Sequence, residues 1–120
     1  MLSVRIAQPE DASAIARLNK LFNDVDEPAA NYARRLADPR RVDTPLLAEV
    51  DRLPVGIANL RLAPAVFYSE VYAELTELFV EEGYRRLGAG RALLTYAEKL
   101  ARDHTLGLAA FVEAHGKELF

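Results

Sequence analysis

Arginines and glycines crowd into one short stretch, Arg85-Arg86-Leu87-Gly88-Ala89-Gly90-Arg91. Gly88 and Gly90 have no Cβ to hold a ligand away from the main chain. Backbone N–H groups at the start of a helix gather an anion, and the helix dipole adds to the pull. Arg85 and Arg86 supply charge-assisted hydrogen bonds from the rim. The chemistry of this stretch is that of a phosphate. It is not a nucleotide-triphosphate loop, because Gly88-Ala89-Gly90 runs into Arg91-Ala92 where lysine and a hydroxyl residue would stand. Nor is it a dinucleotide fingerprint: the third glycine is missing and the stretch comes late in the chain.

A second constellation precedes it. Glu74 and Glu77 interrupt an otherwise apolar run ending Leu78-Phe79-Val80. An acid inside a buried strand is costly without a partner or a purpose, so at least one of the two faces a cleft. Acids also lie beside aromatics in Phe22-Asn23-Asp24-Val25-Asp26-Glu27 and in Phe67-Tyr68-Ser69-Glu70. Such loops suit a cationic ligand, and the alternative is a plain solvated surface. The chain has no cysteine, so it offers no thiolate nucleophile, thiolate zinc site or disulfide. His104 and His115 alone do not make a metal site, and no metal is expected.

The elements that must position these residues follow from periodicity. Leu2, Val4 and Ile6 alternate as a first strand. Pro9-Glu10-Asp11 opens a helix whose apolar face is Ile15, Leu18 and Leu21/Phe22. Ala29 to Ala37 reads as a second helix. Pro45 to Val50 and Val55 to Leu62 form an antiparallel hairpin across Asp51-Arg52-Leu53-Pro54. Val71 to Val80 is a fourth strand, a helix opens near Gly88 and ends around His104, and Leu106 to Val112 is a fifth strand. The order β-α-α-β-β-β-α-β predicts an α/β fold on a mixed sheet, with the last two strands parallel across a right-handed crossover.

One hundred and twenty residues, 51% apolar and 28% charged, predict a single domain over 1–120. A net charge of −3 argues against nucleic acid as the main partner. Twelve arginines against three lysines, three of them beside the glycines, point to one small anion. No apolar run approaches the ~20 residues of a membrane span, and the N-terminus lacks a secretory pattern. The expected location is cytoplasmic.

Arg85-Arg86-Leu87-Gly88-Ala89-Gly90 resembles the arginine/glutamine-x-x-glycine-x-glycine/alanine signature of the GNAT acetyltransferase superfamily. The setting matches as well: a strand ending Leu78-Phe79-Val80, a short turn, and a helix running Arg91-Ala92-Leu93-Leu94. The similarity extends from Val4 to about Val112. It implies that main-chain N–H groups of Leu87 to Arg91 bind the pyrophosphate of acetyl-coenzyme A. It further implies that the backbone of Leu78, Phe79 and Val80, beside a bulge, pairs with the pantetheine arm. Arg85 matches the first signature residue, while Arg86 and Arg91 either touch phosphate or are simply solvated. The reaction implied is direct acetyl transfer to a small-molecule or peptide amine.

Such a transfer needs a base for the amine, donors for the oxyanion and a proton for the departing thiolate. Relatives take the base from the fourth strand. Glu74 matches its position in some histone-acetylating members and Glu77 the acid of polyamine-type members; Glu74 is preferred. The resemblance also implies a further helix and two strands, an asparagine and a thiolate-protonating tyrosine, none of which Glu113 to Phe120 provides. Tyr68, Tyr72 and Tyr84 are candidate substitutes for that tyrosine. The alternative reading is a catalytically weak acyl-coenzyme A binding module acting as a sensor or assembly domain. An open edge at Leu106 to Val112, with Leu119-Phe120 beyond it, predicts a homodimer.

Overall fold

Strand alternation and helix periodicity materialise close to their expected bounds in a computed structural model, which describes residues 1–67, 69 and 71–104. β1 (Leu2–Ile6) leads into a 3-10 turn at Pro9–Asp11 and then α1 (Ala12–Asn23). The start is fixed by Asp11, whose carboxylate accepts the Gln8 N–H at 2.7 Å. α1 buries Ile15, Leu18 and Phe22, and ends where Asp24 turns left-handed at φ 56° and donates its N–H to Lys20 O. α2 (Ala29–Ala37) follows Pro28 and buries Tyr32 and Leu36.

β2 (Asp43–Val50) and β3 (Leu53–Ala63) are longer than the alternation predicts. The turn between them is shorter: Asp51 and Arg52 alone make it, at φ 50° and 71°. Two left-handed residues match the twist of the flanking strands, so Leu53 and Pro54 join the ladder. β4 (Tyr72–Val80) pairs with β3, and the register jumps from Asn59↔Glu77 to Leu60↔Leu75. Thr76 is thus the extra residue of a β-bulge. α3 (Ala89–His104) completes the described chain.

The described sheet has the order β1-β2-β3-β4 and is antiparallel throughout. The strand expected over 106–112, which would make the sheet mixed, lies outside the described residues. So do Tyr68, Glu70 and the terminal Leu119-Phe120.

Helices cover both faces. α3 crosses β3 closely: a Cβ on Gly56 would lie 3.0 Å from the Phe79 carbonyl oxygen and 3.3 Å from Leu93 Cδ1. Only glycine fits there without displacing backbone. Leu60 packs on the same side with Ala73 and Ala101. On the opposite face α1 reaches β4 through a stack of Phe22 on Phe79, with ring centroids 5.0 Å apart. The strands therefore set two different sites along β4, one at Glu77 and one just after Val80.

Candidate active site

The turn after β4 builds the first part. Glu82–Tyr84 forms a 3-10 turn, Arg86 and Gly88 take φ 70° and 90°, and α3 begins at Ala89. Ala92 N–H donates to Gly88 O at 2.9 Å, the first helical bond. The N–H groups of Ala89, Gly90 and Arg91 therefore have no acceptor within the helix. A hollow of about 300 Å³ lies here, walled by Val80, Arg85, Arg86, Gly88, Ala89, Gly90 and Arg91. Arg86 and Arg91 are exposed at its mouth. Leu87 is exposed beside it and is not part of the wall.

Arg85 departs from the rim position its sequence spacing predicts. Its Nε donates to Val80 O at 2.8 Å, and its guanidinium lies 5.7 Å from the Phe79 ring centre. A half-buried arginine finds an acceptor and an aromatic face there that open water would not supply. Leu78, Phe79 and Val80 bury their side chains in the core. Glu81 N–H donates across to Val55 O, so the peptide groups of Val80 and Leu78 point away from β3 by strand alternation. Among the described residues β4 is one of the two edges of the sheet.

The second part is a cleft of about 680 Å³ between α1, α2 and the sheet. Glu77 lines it; Glu74, opposite Arg61 in the ladder, does not. The bulge adds a residue between the two acids and so brings both to one face of the sheet; Glu74 lies further along the strand, beside Arg61 and outside the wall of the cleft. A chain of amides crosses the cleft from Glu77. Asn23 Nδ2 donates to Glu77 Oε1 at 3.0 Å and to Asn19 Oδ1 at 2.7 Å, and Asn19 Nδ2 donates to the Tyr32 hydroxyl at 2.8 Å.

Next to Glu77 in the ladder, Asn59 Nδ2 donates to Asp43 Oδ1 at 3.0 Å and to Thr76 Oγ1 at 2.8 Å. Arg61 Nε also donates to Asp43 Oδ1, at 2.9 Å. Burial pushes the Asp43 carboxyl up, but the hydrogen bonds from Arg61 and Asn59 outweigh it and hold it below its ordinary range.

Sequence reasoning missed Asn19, Tyr32, Asn59 and Thr76, and took Asn23 only as part of the acidic loop after α1. The one available signal was a polar residue on an apolar face, as Asn59 within Ile57-Ala58-Asn59-Leu60. The acidic loop after α1 is less available than its composition predicts. Glu27 is gripped by Arg35 at 2.7 and 2.9 Å, and Asn31 donates to it as well. Of the candidate tyrosines, Tyr84 is half-buried, Tyr72 is more exposed, and Tyr68 lies outside the described residues. Among the described residues no group of acids and histidines could hold a metal, and no helix is long and apolar enough to cross a membrane.

The fold has many solved counterparts. A ribosomal-protein-alanine N-acetyltransferase from Brucella melitensis biovar Abortus 2308 superposes with a TM-score of 0.83 at 20% identity, over 98% of this chain and 84% of that one. An aminoglycoside acetyltransferase, meta-AAC0020, from an uncultured soil metagenomic sample gives 0.77 at 15% identity, over 97% and 78%. An acetyltransferase from Trypanosoma brucei gives 0.78 at 19%, over 98% and 84%. Comparison with curated protein sequences gives no match. The family model of the acetyltransferase (GNAT) family matches residues 11–118, which include both parts of the site. With that match lying over a glycine-arginine helix start and an acid-lined cleft on one strand, this chain belongs to the GNAT acetyltransferase family and is an acyltransferase.

Proposed function

We propose that the protein is an N-acetyltransferase that moves an acetyl group from acetyl-coenzyme A to a small-molecule or peptide amine by direct transfer. One observation carries the reading: β4 bears both halves of the required chemistry, with Glu77 in the cleft and the phosphate-sized hollow immediately after Val80. The residues present fit the donor. Unpaired helix-start N–H groups, a glycine at φ 90° and the exposed Arg86 and Arg91 make a cradle for its phosphates. The outward peptide groups of Leu78 and Val80 offer strand-like pairing to its arm, once Arg85 releases Val80 O.

When bound, acetyl-coenzyme A supplies the activated thioester. Glu77 takes the proton that the amine must lose, and the Asn23 amide, donating to Oε1, fixes how that carboxylate is turned. Two features support Glu77 over Glu74 as the base: it lines the cleft, and it has this positioning partner.

Calorimetric titration with acetyl-coenzyme A, followed by thiol release with a panel of amines, tests the proposal. Binding with turnover supports it. Binding without turnover of any amine leaves only a coenzyme-binding module, and no binding rejects both.

A further inference from the structure

Three arginines, Arg35, Arg41 and Arg61, line the cleft that holds Glu77. Two of them are committed to acids of the fold. Arg35 grips Glu27 at 2.7 and 2.9 Å, and Arg61 grips Asp43 at 2.9 and 3.4 Å. Arg41 differs: its guanidinium has no hydrogen bond and no ion pair among the described residues. Acids are not lacking nearby in the chain. Asp38 and Asp43 flank Arg41 in sequence, but Arg40 holds Asp38 and Arg61 holds Asp43. A solvated arginine is ordinary by itself. What sets Arg41 apart is its place, exposed and uncommitted in the wall of the cleft.

The fold holds it well away from Glu77. Val42 O accepts the Leu62 N–H at 2.8 Å, which continues the β2–β3 ladder to the residue next to Arg41. In that ladder Pro45, Asn59 and Glu77 make one row across β2, β3 and β4. Arg41 precedes Pro45 by four residues, on the chain leading into β2. With strands about 4.8 Å apart and about 3.3 Å of rise per residue, the Cα atoms of Arg41 and Glu77 are roughly 16 Å apart. The two side chains close part of that gap, and a ligand of several atoms spans the rest. The cleft thus offers an acid to an amine at one place and a cation at another.

We propose that Arg41 is a specificity-determining residue and that the acceptor is an aminocarboxylate. Its carboxylate lies several atoms from the amine that is acetylated, as in an ω-amino acid or a short peptide with a free C-terminus. This inference rests on reading the cleft as the amine site. A planar guanidinium pairs with a carboxylate through two parallel N–H···O bonds. A doubly charged phosphate fits less well, because Asp38, Asp43 and Glu77 line the same cleft.

The test compares 6-aminohexanoate with 6-aminohexanamide, and triglycine with triglycinamide, so that the charge changes only at the far end. Each is measured for turnover with acetyl-coenzyme A and, separately, for direct binding by calorimetry. Because Arg41 is exposed and water screens part of the attraction, the expected preference for the acid is about fivefold or more in kcat/KM or Kd. A preference in the first pair alone assigns an ω-amino acid, and one in the second alone assigns a peptide. Arg41→Gln brings the ratio to about unity and leaves acetyl-coenzyme A affinity unchanged, since Arg41 is not part of the hollow after β4. Arg41→Lys, which keeps the charge without the fork, restores part of the preference. Equal use of acid and amide in both pairs, or turnover only of amines that lack a carboxylate, overturns the inference and leaves the transferase reading standing. A preference that survives Arg41→Gln overturns it as well. Arg41-dependent binding of the acids without turnover would uphold the anion site and sink the transferase reading, and neither binding nor turnover of any amine rejects both.

Discussion

At the scale of single residues, the two acids of β4 separate cleanly. Glu77 lies in the cleft with Asn23 on its Oε1, whereas Glu74 is set against Arg61 in the ladder. Glu77→Gln is expected to lower kcat about a hundredfold, within the range that a general base contributes, and to erase the acidic limb of the pH–rate profile. Glu74→Gln is expected to leave that limb in place. Exchange of the two outcomes would move the base to Glu74. Gly88 supports a different expectation, because at φ 90° it adopts a backbone that side chains avoid, beside the unpaired N–H groups of α3. Gly88→Asp brings both strain and a carboxylate to the hollow, and acetyl-coenzyme A binding should be lost in calorimetry. Undiminished affinity would show that the phosphates bind elsewhere.

Among the elements, the contact of α3 on β3 has the least tolerance. Gly56→Ala must push a Cβ to within 3.0 Å of the Phe79 carbonyl oxygen, which is backbone and cannot swing aside. Urea denaturation should report a loss of about 1–3 kcal/mol, the usual cost of overpacking. Phe79 also stacks on Phe22 and underlies Arg85, so the shift would reach both halves of the site. The β2–β3 turn points the other way. Arg52 holds φ 71° without the freedom of glycine, and Arg52→Gly should raise stability by roughly 0.5 kcal/mol, the relief of strain exceeding the added chain entropy. A lower urea midpoint would contradict a left-handed Arg52.

For the molecule as a whole, one arginine ties the entry of the fold together. Arg5 grips Asp11 at 2.7 and 2.8 Å and Glu49 at 3.1 and 3.3 Å, joining β1, the first turn and β2. Its hydrogen bonds hold the Asp11 carboxyl below the ordinary carboxylate range. A carboxyl lowered in the folded state adds stability that is fully present above its unfolded pKa, about 3.9, and lost as pH falls through the folded value. Asp11→Asn should therefore be less stable than the parent at pH 7, by about 1 kcal/mol. That gap should shrink as the pH drops below about 4; a gap that stays constant would deny the pairing. The homodimer is a proposal at this same scale. Sedimentation equilibrium at micromolar concentration should return twice the 13.3 kDa chain mass, and a clean monomer would reject it.

Local rules were enough to place α2, the strand cores and the glycine-arginine helix start, because each depends on neighbours in sequence: alternation, helix period, and the backbone freedom of Gly88. The family resemblance rested on that same local pattern, and the match over residues 11–118 agrees with it. The cleft was not legible in this way. That Glu74 and Glu77, three residues apart, come to one face depends on the bulge at Thr76, which exists only when β4 is paired with β3, and that Glu77 alone of the two lines the cleft depends on where α1 and α2 pack. The inward turn of Arg85 needs the Val80 carbonyl and the Phe79 ring to be assembled first. Asn59 read as one polar residue in an apolar strand until Asp43, Thr76 and Arg61 arrived from other elements to fix its amide. Spacing along the chain determines backbone geometry; which polar atoms meet, and which is left bare, is decided by contacts among residues distant in sequence.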